Sequence, residues 1–284
     1  MIRKVRKAAV IGSGIMGGGI AALLAGAGVK VQLLDIVPFD LKDEEKNDPI
    51  ARNRIVKSGL DAALGSYPSL FFNKKDAGLI SIGNLDDDIE KLSECDWIIE
   101  VVVENLKIKR ELFTKIEKVR KTGSIVTSNT SGIPLQDICQ GFSKEFKEHF
   151  MGTHFFNPVR YMHLLELIPG ADTLPEILEF IAAFGEKNLG KGIVWAKDTP
   201  NFVGNRIGVQ GIGATMKTMT ENDMTIPEID AIFGPALGRP KTAIFKTTDL
   251  VGLDTMIHVL KNSYDLCPDD EQRDTHILPD FINK

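Results

Sequence analysis

The sequence has few cysteines, and none of them are paired. Cys95, Cys139 and Cys267 lie far apart and form no CxxC motif. This spacing excludes a zinc site built on paired thiols and favours a reducing compartment, so we expect a cytoplasmic protein. The sequence also has no pair of histidines at i and i+4 joined by an acid, so we expect no bound metal.

Basic clusters and unbroken apolar runs are also missing. The net charge of −5 over 284 residues provides no basic field, and no Lys/Arg cluster is interleaved with aromatics. We therefore expect no nucleic-acid partner. Glycines interrupt the apolar stretch Ile11–Val29, which is typical of strand, turn and helix, so it predicts neither a membrane span nor a signal peptide. The length suits two globular domains.

The most informative segment is a strand that runs into a glycine-rich turn. The strand at 8–11 is followed by Gly12-Ser-Gly14-Ile-Met-Gly17. In this pattern Gly12 makes the turn, Gly14 makes room for a pyrophosphate, and Gly17 lets helix and strand pack closely. The predicted helix opens at Ile15 and Met16 and points free N–H groups at the anion. The turn therefore predicts dinucleotide binding.

An acidic residue closes the second strand, at 31–35. Asp35 lies 18 residues after Gly17, where a carboxylate can bind a ribose diol. Asp35 is followed by Ile36 and Val37 rather than by Arg. Because a carboxylate there would repel a 2′-phosphate, the sequence favours NAD over NADP.

Short Val- and Ile-rich runs separated by helical stretches indicate a buried parallel sheet covered on both faces. We predict further strands at 97–103, 124–128, 150–155, 163–168 and 193–195, with the strand at 163–168 at the edge. The charged segment Asp40–Lys57 predicts one or two exposed helices standing off the sheet. That segment is either a solvated insert or a ligand-contacting arm.

After Gly192 the pattern changes, and no clear strand period follows residue 200. Asp198-Thr-Pro200 is typical of a helix start, and Thr225-Ile-Pro-Glu228 of a capping box. We predict an α/β Rossmann-type, mostly parallel sheet followed by a smaller all-α domain. The NAD-binding domain would span 1–196, with its charged helical arm at about 38–60, and the all-α domain would span 197–284.

Three polar motifs end predicted strands on the side where nicotinamide must lie. They are Glu100–Glu104 with Lys109, Ser128–Ser131, and His154–Pro158. Oxidising an alcohol requires a base, and His154 suits that role if the carboxylate of Glu166 orients it. Asn157 and Ser131 can donate hydrogen bonds to a substrate oxygen. The alternative is a structural histidine and a surface glutamate.

These motifs together resemble the L-3-hydroxyacyl-CoA dehydrogenase family of fatty-acid β-oxidation. The resemblance spans roughly residues 5–210. Its matching stretches are Val10–Gly19, Glu104–Lys109, Ser128–Ser131, His154–Val159 with Glu166, and Asp198–Pro200 leading to Asn205-Arg206. Asp249–Asp254 extends the likeness into the helical domain.

The resemblance implies NAD-dependent oxidation of a 3-hydroxyacyl-CoA to a 3-ketoacyl-CoA. It makes His154 the general base and Glu166 its orienting partner. It also implies that the family's arm after Asp35 holds coenzyme A. The remaining implied roles are substrate positioning by Ser131, Asn157 and Asn205, binding of the nicotinamide ribose by Glu104, Lys109 and Ser131, and phosphate contacts from among Lys57, Lys74 and Lys75.

The chain departs from the family at several positions. Position 201 is Asn where the family usually has Gly, and Gly204 precedes Asn205 where a bulkier residue is common. The chain ends at Lys284 without the family's Gly-x-Lys-x-Gly-x-Gly-Phe-Tyr type of ending, so we expect a truncated helical domain. The larger polypeptide could carry an enoyl-CoA hydratase-type domain. By resemblance, we also expect a homodimer through the helical domain.

Two other functions stay open at this stage. One is a related NAD-dependent dehydrogenase acting on a free hydroxy acid or sugar acid. The other is a non-catalytic NAD-binding relative. Retention of the five polar residues His154, Glu166, Ser131, Asn157 and Asn205 argues against the second alternative.

Overall fold

A computed structural model describes residues 4–279 and Ile282. The chain forms two compact units, one ending at Asp198 and the other beginning at Thr199. Among the described residues, no helix combines the length and apolar character needed to cross a bilayer.

The first unit is built on a mixed sheet whose order is β3-β2-β1-β4-β5-β6-β7-β8. All neighbouring strands run parallel except β6 and β7, which pair antiparallel. This confirms the predicted Rossmann-type, mostly parallel sheet. The strands are β1 Lys7–Ile11, β2 Lys30–Asp35, β3 Ile80–Asn84, β4 Trp97–Glu100, β5 Ile125–Ser128, β6 Phe150–Phe155, β7 Leu164–Pro169 and β8 Gly192–Trp195.

The structure corrects two of the strand predictions and adds one strand. The strand predicted at 97–103 ends at Glu100. The N–H of Val101 still donates to the carbonyl oxygen of Ile11, and beyond Val101 the chain leaves the sheet. β7 is not at the edge, since β8 pairs with it on the far side. β3 was missed because its sequence, ISIGN, is short and half polar, and only its pairing with β2 defines it.

The helices of the first unit cover the sheet. The core is mostly apolar, with Trp97, Phe113 and Phe150 among its largest fully buried side chains. The indole N–H of Trp97 donates to Thr127 Oγ1 at 3.0 Å, so its polar edge is satisfied. The helices are α1 Ile15–Gly26, α2 Pro49–Arg52, α3 Arg54–Gly65, α4 Leu106–Val119, α5 Leu135–Cys139, α6 Lys144–Glu148 and α7 Pro175–Leu189.

The charged arm does not stand off the sheet as predicted. Its helix α3 buries Val56 and Ala63 and packs against α1. The approach is close because Gly59 faces the backbone of Ser13, where a Cβ would lie 2.2 Å from the Ser13 carbonyl oxygen. The apolar face of α3 is narrow, and the many charged residues around it made the segment look fully solvated in the sequence.

The regular elements in the described part of the second unit are all helices, as predicted. Its core contains Val209, Met216, Met256 and Leu260. The capping box at the start of α9 is confirmed, because Glu228 accepts from the backbone N–H of Thr225 at 2.8 Å. The helices are α8 Gly204–Glu221, α9 Ile226–Ile232, α10 Phe245–Val251 and α11 Leu253–Leu266.

Asp198 does not cap the helix predicted to follow it. Its carboxylate instead accepts from the backbone N–H groups of Leu135 and Gln136, at 2.9 and 3.1 Å, at the start of α5. The following helix α8 begins only at Gly204, after Asn201 and Phe202 adopt left-handed backbone conformations. The local sequence predicts that Asp198 caps the next helix, but in the structure its carboxylate caps α5, which is distant in sequence.

Candidate active site

The glycine-rich turn has the geometry that a dinucleotide pyrophosphate requires. Gly12 has a φ of +102°, and a Cβ there would lie 2.5 Å from the carbonyl oxygen of Val101. A Cβ at Gly17 would lie 1.8 Å from the carbonyl oxygen of Gly12, whereas Gly14 faces open space. α1 begins at Ile15, with Met16 in its first turn, so its free N–H groups lie beside that space. These residues fit NAD.

Asp35 lies at the carboxyl end of β2, within reach of the turn. Its Oδ2 accepts from the backbone N–H of Ser13 at 2.6 Å and from the Ser13 hydroxyl at 2.5 Å. Its Oδ1 accepts from the N–H of Ile36 at 2.7 Å. Because a carboxylate has about four acceptor positions, one remains for a ribose hydroxyl. The motif predicts Asp35 but assigns no role to Ser13, which fixes the carboxylate.

His154 and Glu166 are direct neighbours on β6 and β7. They are cross-strand partners in the antiparallel pair, and His154 Nδ1 lies 2.7 Å from Glu166 Oε2. The exposed fractions are 4% for His154 and 0% for Glu166, so bulk water does not screen the pair. When the Glu166 carboxylate is ionised it can only accept, so the imidazole donates its Nδ1–H to it and Nε2 faces Ser131 as an acceptor.

Ser131 meets the other side of the imidazole. Its Oγ lies 3.1 Å from His154 Nε2. β5 and β6 run parallel, so the residues after β5 and the last residues of β6 lie at the same edge of the sheet. That edge is also the one where β1 enters the glycine-rich turn. The structure thus places the Ser131–His154–Glu166 cluster at the dinucleotide side of the sheet.

Glu104 holds the loop that carries Ser131. Its Oε1 accepts from the backbone N–H groups of Ser131 and Gly132, at 2.9 and 3.1 Å, and from the Thr130 hydroxyl at 2.6 Å. Burial raises its pKa, but the charge of Lys109 and these hydrogen bonds outweigh burial and hold the pKa below its usual value. Glu104 is therefore charged at neutral pH.

Lys109 lies beneath Glu104 in the interior. Its Nζ is 2.6 Å from Glu100 Oε1, 3.3 Å from Glu104 Oε2 and 3.4 Å from the carbonyl oxygen of Val102. These contacts use its three donors, so in this structure Lys109 supports Glu104 from below. Glu100 also accepts from the Ser128 hydroxyl and from the N–H of Val102. The sequence includes Glu100 in a polar motif at a strand end but gives it no role of its own.

Asn157 follows β6 by two residues and is exposed. Asn205 lies in the first turn of α8 in the second unit and is half-buried. The roles of both residues remain predictions. The three candidate phosphate-binding lysines are exposed: Lys57 on the arm, and Lys74 and Lys75 just before β3. Lys57 forms an ion pair with Asp61. A cavity of about 640 Å³ on the arm is lined by Ile50, Arg54, Ile55, Lys57, Ser58 and Asp61.

The glycine-rich turn, the acid that ends β2 and the mostly parallel sheet together define an NAD-binding domain of Rossmann type. The family model described as "3-hydroxyacyl-CoA dehydrogenase, NAD binding domain" matches residues 7–199. The model described as "3-hydroxyacyl-CoA dehydrogenase, C-terminal domain" matches residues 202–284. The chain belongs to the 3-hydroxyacyl-CoA dehydrogenase family.

Two curated relatives and a solved structure are similar over nearly the whole chain. "Probable 3-hydroxyacyl-CoA dehydrogenase" of Bacillus subtilis is 51% identical over 289 residues, which cover 100% of this chain but 36% of that protein. The protein of the same name from Deinococcus radiodurans is 47% identical over 94% of this chain and 75% of its own length. The crystal structure of (S)-3-hydroxybutyryl-CoA dehydrogenase PaaH1 from Ralstonia eutropha is 28% identical, with a TM-score of 0.77 over 99% of this chain and 93% of that one.

Proposed function

We propose that this chain oxidises an L-3-hydroxyacyl-CoA to the 3-ketoacyl-CoA with NAD⁺, as a step of fatty-acid β-oxidation. The observation that supports this most directly is the position of His154 between Ser131 Oγ and Glu166 Oε2, at 3.1 and 2.7 Å. The cluster lies at the edge of the sheet that carries the glycine-rich turn. Membership of the family gives the substrate class.

In this proposal His154 is the general base. Its Nε2 takes the proton of the substrate 3-hydroxyl as the carbon–oxygen bond becomes a carbonyl and hydride leaves C3. Bound NAD⁺ supplies the hydride acceptor. The imidazolium that forms is stabilised by the buried carboxylate of Glu166, which also holds the ring orientation. In the reverse direction the same imidazolium returns the proton to the substrate oxygen.

Ser131, Asn157 and Asn205 supply hydrogen bonds to substrate oxygens in this proposal. Ser131 is the best placed, because its hydroxyl already contacts the base and its backbone is held by Glu104. Fixed donors stabilise charge at a developing oxygen more than mobile ones, since they need no reorganisation. Glu104 would bind the nicotinamide ribose, with Lys109 acting on it from the interior.

The arm would hold the coenzyme A part of the substrate. Its cavity combines an apolar wall, Ile50 and Ile55, with the cations Arg54 and Lys57. Both cations pair with exposed aspartates, which a phosphate could replace as partners at little cost because surface ion pairs are weak. Lys74 and Lys75, which lie beyond the arm and before β3, remain further phosphate candidates.

We infer the wider context of the chain from its relatives and composition. The Bacillus subtilis relative is much longer than the matched region, which supports fusion to a further domain, such as an enoyl-CoA hydratase-type domain. Family membership supports a homodimer through the helical unit. Cys95, Cys139 and Cys267 are free thiols, which supports a cytoplasmic location.

The test is NADH formation followed by absorbance, with 3-hydroxybutyryl-CoA and free 3-hydroxybutyrate compared at equal concentration. We expect turnover of the thioester only. His154→Gln should lower kcat by about 10²–10⁴-fold while leaving NAD⁺ affinity unchanged. His258→Gln is the matched control, because His258 is an exposed histidine on α11. Preference for the free acid would favour a related dehydrogenase, and NAD⁺ binding without any turnover would favour a non-catalytic relative.

A further inference from the structure

Lys191 is a buried cation for which the proposed reaction has no use. It lies between α7 and β8 with an exposed fraction of 5%, and burial lowers the pKa of its ammonium group. Within the part of the chain that the structure describes, Lys191 forms no ion pair, and burial is the only influence on its pKa. Burying a charge is costly unless polar partners replace the lost water. The position of those partners therefore indicates what the lysine does.

The partners are backbone carbonyls of one loop. Lys191 Nζ donates to the carbonyl oxygens of Val159 and Met162, at 2.5 and 2.6 Å. Both belong to the segment 157–163, which we call the post-β6 loop. The next residue adds a third bond, from the N–H of Gly192 to the carbonyl oxygen of His163 at 2.8 Å. Charge-assisted bonds of this kind are stronger than neutral ones.

The backbone of Lys191 is held in place by the elements on either side of it. Its own backbone N–H donates to the carbonyl oxygen of Gly185 at 2.9 Å, after Gly190 ends α7 in a left-handed conformation. β8 begins immediately afterwards and pairs with β7. Lys191 is therefore anchored between a helix end and a strand. Its ammonium group can hold the post-β6 loop in place, because its own backbone does not depend on that loop.

The opposite side of the loop is tied to the segment between α3 and β3. Arg160 Nη1 donates to the carbonyl oxygens of Ser69 and Phe71, at 3.0 and 2.8 Å, and its guanidinium lies 4.4 Å from the ring centre of Phe72. Val159 packs against Gly19 of α1, where a Cβ would lie 2.9 Å from the valine Cγ2. Two cations thus fix one loop from two sides.

We propose that Lys191 is a positioning residue that sets Asn157 relative to His154. The loop starts two residues after β6, the strand that carries His154, and Asn157 is its first residue. By fixing the carbonyls of Val159 and Met162, Lys191 fixes the path of the chain that leads away from Asn157. This inference rests on the proposed function, in which Asn157 contacts a substrate oxygen. A displacement of about 1 Å in such a group can cost up to about a hundredfold in rate.

The first experiment is a double-mutant cycle with Lys191→Met and Asn157→Ala. We expect Lys191→Met to lower kcat for 3-hydroxybutyryl-CoA by about tenfold to a hundredfold with an unchanged KM for NAD⁺. The double variant should be no slower than Asn157→Ala alone, because both changes remove the same contact. Lys187→Met is the matched control, since Lys187 is exposed on α7. Unchanged kcat in Lys191→Met, or losses that add in the double variant, would overturn the proposal.

A second readout does not depend on catalysis. Hydrogen–deuterium exchange over residues 156–163 should rise in Lys191→Met and stay at the wild-type level in Lys187→Met. If Lys191→Met does not fold, Lys191→Gln replaces it in both experiments, because the glutamine amide is polar but uncharged and one atom shorter, so it weakens the two bonds to the loop. Unchanged exchange in the folded variant would also overturn the proposal. Failure of the proposed function has a different signature, namely full activity of Asn157→Ala or an inactive wild type.

Discussion

Lys109 and Glu100 form an ion pair in the interior of the first unit, with Lys109 Nζ 2.6 Å from Glu100 Oε1 and side chains 1% and 0% exposed. The same ammonium group contacts Glu104, whose other oxygen holds the backbone of Ser131. Ser131 in turn contacts His154. Interior charges therefore support the loop that carries the proposed substrate-binding serine.

Removing one partner of this interior pair should destabilise the chain strongly. Lys109→Met leaves the Glu100 carboxylate buried without its cation, so the free energy of unfolding should fall by about 3–5 kcal/mol. Glu100→Gln combined with Lys109→Met should lose less than the sum of the two single losses. Urea unfolding measures these differences. The control is Lys107→Met on the same helix, where the lysine is 86% exposed. A loss in Lys109→Met no larger than in this control would show that the pair does not stabilise the fold.

Glu104 should make stability dependent on acid pH. Burial alone would raise its pKa, but Lys109 and the hydrogen bonds from Thr130 and Ser131 lower it below the usual 4.5. A depressed pKa stabilises the folded state fully above pH 4.5, and the gain is lost as the pH falls through the folded-state pKa. Glu104→Gln should therefore show a flatter fall in unfolding free energy below pH 4.5. The control is Glu111→Gln on α4, the helix that follows Glu104, because the Glu111 side chain is exposed. An identical pH profile in Glu104→Gln and the wild type would contradict this reasoning.

Asp35 should set the preference for NAD over NADP. Its carboxylate is fixed by Ser13, so it can both bind a ribose hydroxyl and repel a 2′-phosphate. Asp35→Asn should raise the KM for NAD⁺ by about tenfold, as expected for a lost charge-assisted hydrogen bond of about 1.5 kcal/mol. It should also narrow the ratio of kcat/KM values for NAD⁺ and NADP⁺. Steady-state assays with both cofactors measure this, and an unchanged ratio would exclude Asp35 as the discriminating residue.

Asn201 should tolerate glycine better than alanine. Its φ is +60°, which costs L-residues other than Asn and Asp about 1–2 kcal/mol. Its amide also donates to the buried hydroxyl of Ser263 at 2.7 Å. Asn201→Gly loses only the hydrogen bond, whereas Asn201→Ala loses the bond and adds strain. Denaturant unfolding should therefore find Asn201→Ala less stable than Asn201→Gly by about 1–2 kcal/mol. Equal stability of the two variants would show that the conformation carries no strain.

This position also explains a departure from the family pattern. The resemblance to the family makes Asn201 a departure from its usual glycine, and both residue types adopt the left-handed backbone conformation found there. The same left-handed backbone explains why α8 begins at Gly204, later than the helix start predicted at Asp198–Pro200. The turn at Asn201 and Phe202 must be completed before helical geometry begins at Gly204.

The order of strands and helices could be read from the sequence because buried parallel strands are short Val- and Ile-rich runs with fixed boundaries. β6 was predicted at its observed bounds, and α1 at its observed start. The arm and β3 could not be predicted well. Their apolar positions are few, and only pairing with β2 and packing against α1 distinguish them from solvated loop.

The sequence by itself determined the glycine-rich turn, the family and the pairing of histidine with glutamate as a hypothesis, because those depend on residue type and order. Only the tertiary structure decided which polar groups meet. Sheet register puts His154 opposite Glu166, and long-range contacts direct Asp198 to α5, Glu100 to Lys109 and Lys191 to the post-β6 loop. A side chain satisfies its hydrogen bonds with whichever partner folding brings near, and sequence distance carries little information about that partner.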